Sequence, residues 1–433
     1  MVNIEDQAKE TGFVKRESLI NGSSFLELLL LNSTKGALLS LEDLACEFES
    51  LYGQTITKQG IDERFNQQAV LFLNNIMVQL LSQQLNMKTN PEKEYHFTAC
   101  RLKDSTRFGL PDSYSTVYKG HGGATNTQSM ISIQYEFDLL TGDHLGLQLT
   151  SGCRNDQKDS NESVGSIKEG ELLIRDLGYT TSTYLSKVVE KNAFFLNRLP
   201  TQMNVYEAND NNKQIDFKKI YKKLNRYNLP YIEINVFIGK KAQIPCRLVV
   251  SKCEVKAAQR RLKKTTKNTK STGHKVSKET KVKSKLNMYI TNAPMNMIAT
   301  KDIYHIYSLR WQIELIFKAW KSICNINKIK KVKIHRFECI LLSGLIWVLA
   351  NWKIFQIANL WLTQETETKT MSIWKYYRFV SNNQIKVCSV LYGKEHLDEW
   401  LIHVLNMAES KLILETKKGR EPHIQRINRL KKN

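Results

Sequence analysis

A chain of 433 residues with 42% hydrophobic content is long enough for two or three domains and an ample core. Its formal net charge of +22 points to a polyanionic partner, and the hydrophobic share excludes a histone-like or ribosome-like composition as the source of that charge. The excess is local: residues 1–95 hold 8 Lys+Arg against 13 Asp+Glu, whereas residues 201–300 hold 22 against 6.

Residues 1–92 read as a helical domain for DNA binding or packing. Ser23–Leu31 and Leu38–Leu51 are amphipathic, and Ile61–Gln84 predicts a longer helix. Leu41–Phe65 combines a helix, a turn at Gly53 and a polar-faced helix from Thr57. That pattern fits a DNA-reading helix-turn-helix or a plain helical hairpin used for packing or dimerisation. Alternation begins with Tyr95–Lys103, a predicted strand running into Asp104-Ser105-Thr106. The loop Gly120-His121-Gly122-Gly123 lacks the lysine of a phosphate loop and is not read as a nucleotide site. Ser129–Leu139 and His144–Thr150 predict a hairpin around Leu140-Thr141-Gly142-Asp143. Glu171–Arg175 is a short strand ending at Asp176, followed by a helix over Thr180–Lys191 and a strand over Ala193–Leu199. This unit, within residues 93–200, puts an acid at a strand's carboxyl end, where ligands gather in α/β sheets.

Residues 201–285 interrupt the pattern as a basic, β-rich insertion, with strands at Tyr231–Ile238 and Cys246–Val250. Lys252–Lys285 carries 13 Lys+Arg against two acids. It reads as helical over Lys256–Lys264 and loose over Thr265–Lys285. Such cation density favours phosphate contact, through counterion release, over a merely solvated charge run. Residues 286–362 resume the core with a strand at Asn287–Thr291. The stretch Tyr307–Lys321, YSLRWQIELIFKAWK, then reads as one helix. At about 100° per residue, Tyr307, Arg310, Glu314 and Lys321 share an arc of about 60°, opposite a core stripe of Leu309, Ile313, Ile316 and Trp320. A basic patch over Lys328–Lys333 leads to apolar helices over Arg336–Leu362, whose Trp347 and Trp352 read as core. Residues 363–433 form a helical C-terminal region ending in a frayed basic tail from Lys417, with accessory DNA contact.

Eight scattered cysteines, of which Cys246 and Cys253 are the nearest pair, suit neither zinc nor a disulfide framework, so free thiols in a reducing cytoplasm are expected. No signal peptide is read at the start. Phe25–Leu31 and Cys339–Ala350 are too short to span a bilayer, so no membrane partner is expected.

Three acids stand out: Asp104 at a strand end, Asp176 at a second strand end, and Glu314 on a helix. In this element order they suggest an α/β, ribonuclease-H-like catalytic core, in which neighbouring parallel strand ends bring the aspartates together and the helix presents Glu314 across them. Magnesium takes oxygen ligands in octahedral geometry, and two ions about 3.5–4 Å apart can activate an attacking oxygen and stabilise a leaving one. The chemistry such a cluster suits is phosphoryl transfer: water as nucleophile nicks a strand, and a freed 3′-hydroxyl joins it to another.

The spacing Tyr-x2-Arg-x3-Glu-x6-Lys at Tyr307, Arg310, Glu314 and Lys321 resembles the signature of DDE transposases of the insertion-sequence-four family. Asp104-Ser105-Thr106, Arg175-Asp176-Leu177-Gly178-Tyr179 and the strand Phe194–Leu199 are similar to other motifs of that family, and the resemblance extends over about residues 10–360. It implies Asp104, Asp176 and Glu314 as catalytic acids holding Mg2+, with Mn2+ able to substitute, and Tyr307, Arg310 and Lys321 as DNA-binding residues. It further implies a β-strand insertion domain before Glu314, cut-and-paste action on double-stranded element ends and target DNA, and a homodimer on paired ends. The implied location is the bacterial cytoplasm, on the nucleoid when DNA is bound. Two departures are visible: Thr180-Thr181 follows Tyr179 where the family pattern has an aromatic residue, and the chain starts abruptly before Thr11-Gly12-Phe13-Val14. A hydrolytic nuclease of the same fold, and a catalytically defective transposase-derived DNA-binding regulator, remain open beside the active transposase.

Overall fold

The structure, a computed structural model, describes residues 3–35, 40–82, 94–122, 127–271, 275–416 and 421–432. The amino-terminal helices are set by their caps. α1 is Ile4–Glu10, and α2 is Gly22–Leu30, opened by a reciprocal cap between Asn21 and Ser24. α3, Leu41–Tyr52, starts on the Ser40–Asp43 capping box and stops at Gly53, whose φ of 65° is the left-handed conformation glycine adopts without strain. α4 is Lys58–Arg64 and α5 is Gln67–Ser82. The single helix expected over Ile61–Gln84 is therefore two. Phe65 leaves helical geometry (φ −82°, ψ 73°), and the Asn66 side chain accepts the Ala69 N–H at 3.0 Å to start a new helix. Gln84, like Leu38 and Gly123, lies outside the described residues.

Ten strands form one mixed sheet: β1 Cys100–Gly109, β2 Met130–Asp138, β3 His144–Ser151, β4 Leu172–Arg175, β5 Phe194–Arg198, β6 Val205–Glu207, β7 Asp210–Gln214, β8 Tyr231–Ile238, β9 Ile244–Lys252 and β10 Leu286–Thr291. Their order is β3-β2-β1-β4-β5-β10-β9-β8-β6-β7. β1, β4 and β5 run parallel, and every other neighbouring pair is antiparallel. Strand β1 begins and ends later than expected, so Asp104 sits inside it, paired with Tyr135 of β2. The stretch 201–285 extends the sheet through β6–β9.

Helices α6 (Asp156–Glu162) and α7 (Ser182–Glu190) lie between β3 and β5 in the chain, and α8 (Phe217–Arg226), α9 (Val255–Ser271) and α10 (Lys278–Lys283) accompany the insertion strands. Much of the stretch expected to be loose after Thr265 is thus helical. One core joins Leu102, Ile133 and Tyr135 of the sheet to the amino-terminal helices and to Trp320, Trp347 and Trp400. A second packs Leu173, Phe195, Leu248 and Ile290 against Tyr184, Leu185, Phe217 and Leu224.

The expected helix over Tyr307–Lys321 is also two: α11 (Ile303–Ser308) and α12 (Trp311–Ser322). Between them the bonds tighten to three-residue steps, Arg310 N–H to Tyr307 O at 3.1 Å and Ile313 N–H to Arg310 O at 3.2 Å. Such steps turn by about 120° per residue instead of about 100°, so Tyr307 and Glu314 do not keep the register of one regular helix. α13 (Ile334–Thr366) is one long helix rather than several. It is long and apolar enough to cross a bilayer, but 78% of its most apolar window is buried. α14 (Ile373–Asn382), α15 (Gln384–Leu391), α16 (Leu397–Ser410) and α17 (His423–Asn428) follow. The described tail is docked, not frayed: Arg429 pairs with Asp302 and Glu421, and the Leu430 carbonyl accepts the His96 N–H at 2.9 Å.

Candidate active site

The sheet register brings the two aspartates side by side. Lys103 opposite Arg175 is the last pair of the parallel β1–β4 ladder, and Asp104 and Asp176 are the next residues on each strand. β4 stops there because the chain turns through Leu177–Tyr179, while β1 continues along β2. The sheet therefore opens beside Asp104, at the carboxyl end of β4. Gly178 lies close over the α6 start, where a Cβ would stand 3.3 Å from Asp156 Oδ2. Thr180 fills the position expected to be aromatic. Its hydroxyl donates to the Asp176 carbonyl at 3.3 Å and accepts from Asn197 Nδ2 at 2.8 Å, and Thr181 caps α7.

Glu314 arrives from the first turn of α12, which seats Phe317 and Trp320 against the Tyr135 ring of β2. All three acids face one guanidinium. Arg310 Nη1 lies 3.0 Å from Asp104 Oδ2, Nη2 lies 2.5 Å from Glu314 Oε1, and Nε lies 3.9 Å from Asp176 Oδ1. Burial opposes the Arg310 charge, but Tyr307, Asp176, Glu314 and Asp104 outweigh it and hold its pKa above the ordinary value. Burial pushes Asp104 up to about 6. The Ser105 N–H, donating to Oδ1 at 2.8 Å, and Arg310 pull it down, whereas the Asp176 and Glu314 charges push it up.

Three carboxylates within electrostatic reach of each other are the donor chemistry of a hard divalent cation. In this arrangement the guanidinium stands between them, and among the described residues no three His, Cys, Asp or Glu side chains are drawn tightly enough together to hold an ion. A cation bound by all three therefore requires Arg310 to turn aside.

The remaining expected site residues are less alike. Lys321 Nζ donates to the Arg107 carbonyl at 2.8 Å, and partial burial lowers its pKa. Tyr307 is buried, tilted against Tyr289 at 5.2 Å, and its hydroxyl has no hydrogen-bond partner among the described residues. As placed it offers DNA no surface. Ser105, Arg107 and Asp156 were not foreseen. Asp156 accepts from Ser105 Oγ at 3.2 Å and pairs with Arg107, on the face of β1 opposite Asp104. The period-two run Arg101, Lys103, Ser105, Arg107 was the available signal. Farther out, α9 is tied to the sheet by Arg261, which donates to the Leu286 carbonyl at 2.9 Å, and it exposes Lys256, Arg260, Lys263, Lys264 and Lys267.

A family model described as the transposase DDE domain matches residues 96–349, more than half the chain and all three acids. The chain belongs to the DDE transposase family. It is similar to the transposase for insertion sequence element IS231F of Bacillus thuringiensis subsp. israelensis, 29% identical over 441 residues that cover 97% of this chain and 89% of that protein. The transposase for IS231B of Bacillus thuringiensis subsp. berliner is 31% identical over 353 residues, 78% of this chain and 73% of that protein. The transposase for IS1151 of Clostridium perfringens is 28% identical over 359 residues, 79% of this chain and 76% of that protein. The chain is thus a DDE transposase of the insertion-sequence type. Members of the family generally use divalent metal ions.

Proposed function

We propose that the chain binds the terminal inverted repeats of an insertion sequence and catalyses Mg2+-dependent DNA cleavage and strand transfer, with Mn2+ able to substitute. The observation that carries this reading is the convergence of Asp104, Asp176 and Glu314 on one guanidinium within the matched DDE region. The sheet order β3-β2-β1-β4-β5, with β4 and β5 parallel to β1, supports a ribonuclease-H-like core over residues 93–200 and 286–362, with 201–285 as its insertion.

In this proposal Asp104, Asp176 and Glu314 hold the cations. Bound there, they would supply charge neutralisation and activation of the attacking oxygen for in-line displacement at phosphorus. The protein's own part is positioning. Arg310 turns from the acids to a DNA phosphate, Lys321 presents its remaining N–H donors to the strand, and Tyr307 braces the terminal nucleotides after a local shift. The exposed cations of α9 neutralise the duplex farther from the reacting bond. A dimer would align two ends, in a bacterial cytoplasm with nucleoid association through DNA.

The test is incubation of the protein with DNA carrying the element's own ends, with Mg2+ or with EDTA. Joined products in Mg2+ support a transposase, and nicked products alone favour a hydrolytic nuclease. Binding without cleavage favours a defective, regulatory protein and contradicts the proposal.

A further inference from the structure

Behind the acid cluster the sheet carries a second layer of charge. Side chains alternate faces along a strand, so Arg101, Lys103, Ser105 and Arg107 lie on the face of β1 opposite Asp104. Lys103 and Arg175 face each other across the β1–β4 ladder, and each stands one residue before an acid of the proposed site. Glu136 of β2 is the register partner of Lys103 on its other side, and it pairs with Arg175 at 3.3 Å and with Arg101 at 3.1 Å. Lys103 Nζ meets Asp159 of α6 at 2.5 Å. Arg175 also donates to Ser160 Oγ at 3.2 Å and to Ser163 Oγ at 3.4 Å, with its guanidinium 4.5 Å from the Tyr184 ring centre. The side chains of Arg101, Lys103, Glu136, Asp159 and Arg175 are at most 8% exposed.

A buried ion-pair layer of this size is not the cheapest way to stabilise a sheet, because well-packed apolar side chains of similar volume usually do as well or better. What it adds is direction. Apolar packing is non-directional and tolerates small slides, whereas hydrogen-bonded charges hold one geometry. The β1–β4 pairing is only four residues long, and the rear layer adds a side-chain restraint directly behind the ladder's end, next to Asp104 and Asp176.

We propose that Lys103 and Arg175, clamped by Asp159 and Glu136, are positioning residues for DNA cleavage that set the separation of Asp104 and Asp176 from the rear of the sheet. The proposal rests on the reading of those two acids as catalytic. Catalytic constellations need their groups held within about 0.5 Å, and this layer supplies that restraint.

The decisive variant is the double replacement Lys103→Met with Asp159→Leu, which removes one pair of charges and keeps the volume. It is expected to melt within a few degrees of the wild type and to bind end DNA with unchanged Kd. Its cleavage kcat should fall about tenfold or more, and bound Mn2+, counted by paramagnetic resonance on the DNA complex, should need a higher concentration to saturate. Wild-type kcat and wild-type Mn2+ saturation in that folded double variant would overturn the proposal. If it does not fold, Arg175→Lys keeps the charge and shortens the reach: slower cleavage at unchanged melting temperature is expected, and an unchanged rate overturns the proposal. Asp104→Asn is run alongside. Full cleavage by that variant would sink the catalytic reading itself, separately from the role of the rear layer.

Discussion

Replacing Arg310 by Ala removes the only cation seen to touch all three acids among the described residues, and its cost can be worked from the geometry. The contacts to Asp104 at 3.0 Å and Glu314 at 2.5 Å are mostly sheltered, whereas Asp176, at 3.9 Å and 46% exposed, adds little after solvent screening. Unit charges about 3 Å apart at an effective dielectric near 20 attract by about 5 kcal/mol, and breaking a buried pair by deleting one partner costs about 3–5 kcal/mol. Partial exposure of Glu314 argues for the lower end, about 3 kcal/mol. With an unfolding entropy of about 2.1 cal/mol/K per residue, a chain of this length has on the order of 0.9 kcal/mol/K, so Tm in EDTA should fall by about 3 °C. A divalent cation can then take the three carboxylates without displacing a guanidinium, and at a hundredfold excess over its Kd it restores about 2.7 kcal/mol. Thermal melts of wild type and Arg310→Ala, each with EDTA and with Mg2+, read this out. The variant should melt lower in EDTA and gain more from Mg2+ than the wild type does. An unchanged Tm in EDTA, or a Mg2+ response no larger than the wild type's, would refute the reasoning.

Lys321→Ala should weaken end-DNA binding and lower the salt dependence of log Kd by about 0.9, since one phosphate contact is lost; an unchanged slope in a salt titration would count against a phosphate contact there. Trp320→Ala, at a fully buried ring packed 5.0 Å from Tyr135, should cost about 3–5 kcal/mol in urea unfolding, and a loss under about 1 kcal/mol would contradict the packing. His423 is held neutral by burial, then by Arg426, with its pKa lowered from 6.5 to about 4. The folded value is the lower one, so the stability is present above pH 6.5 and is lost as pH falls from 6.5 toward 4, amounting to about 3 kcal/mol. Unfolding measured at pH 7 and pH 4 should show His423→Gln losing less than the wild type over that range; equal losses would refute the assignment.

Several strands around the site were legible because they depend on local alternation. Glu171–Arg175 ending at Asp176 was readable in the chain, and the hairpin around Gly142 was readable from its turn residues. Asp104 lies inside β1 rather than at its end because pairing with β2 carries the strand on to Gly109, and a partner's reach is not written in the strand itself. The break between α11 and α12 was hidden because Leu309 and Arg310 are ordinary helix formers and the tightened turn is imposed by packing. The docking of Arg429 on Asp302 and of Lys431 on Glu94 joins residues far apart in the chain, where a run of lysines reads as a solvated tail. β6, Val-Tyr-Glu, is only three residues long, and β7, Asp-Asn-Asn-Lys-Gln, is polar without apolar alternation, so neither carries a strand signal. The rear charge layer did have a signal, the period-two polar run Arg101, Lys103, Ser105, Arg107, but its partners come from Glu136, Asp159 and Glu171 on other elements.

In the proposed function, Asp104, Asp176 and Glu314 form one metal-dependent site for DNA strand cleavage. That assignment is tested most directly by cleavage of DNA carrying the element's ends in Mg2+, comparing the wild type with Asp104→Asn, Asp176→Asn and Glu314→Gln, and with end-DNA Kd measured for each. Each substitution should abolish cleavage and leave Kd within about twofold of the wild type. Cleavage at the wild-type rate by any one of the three, or loss of DNA binding together with cleavage, would contradict the account.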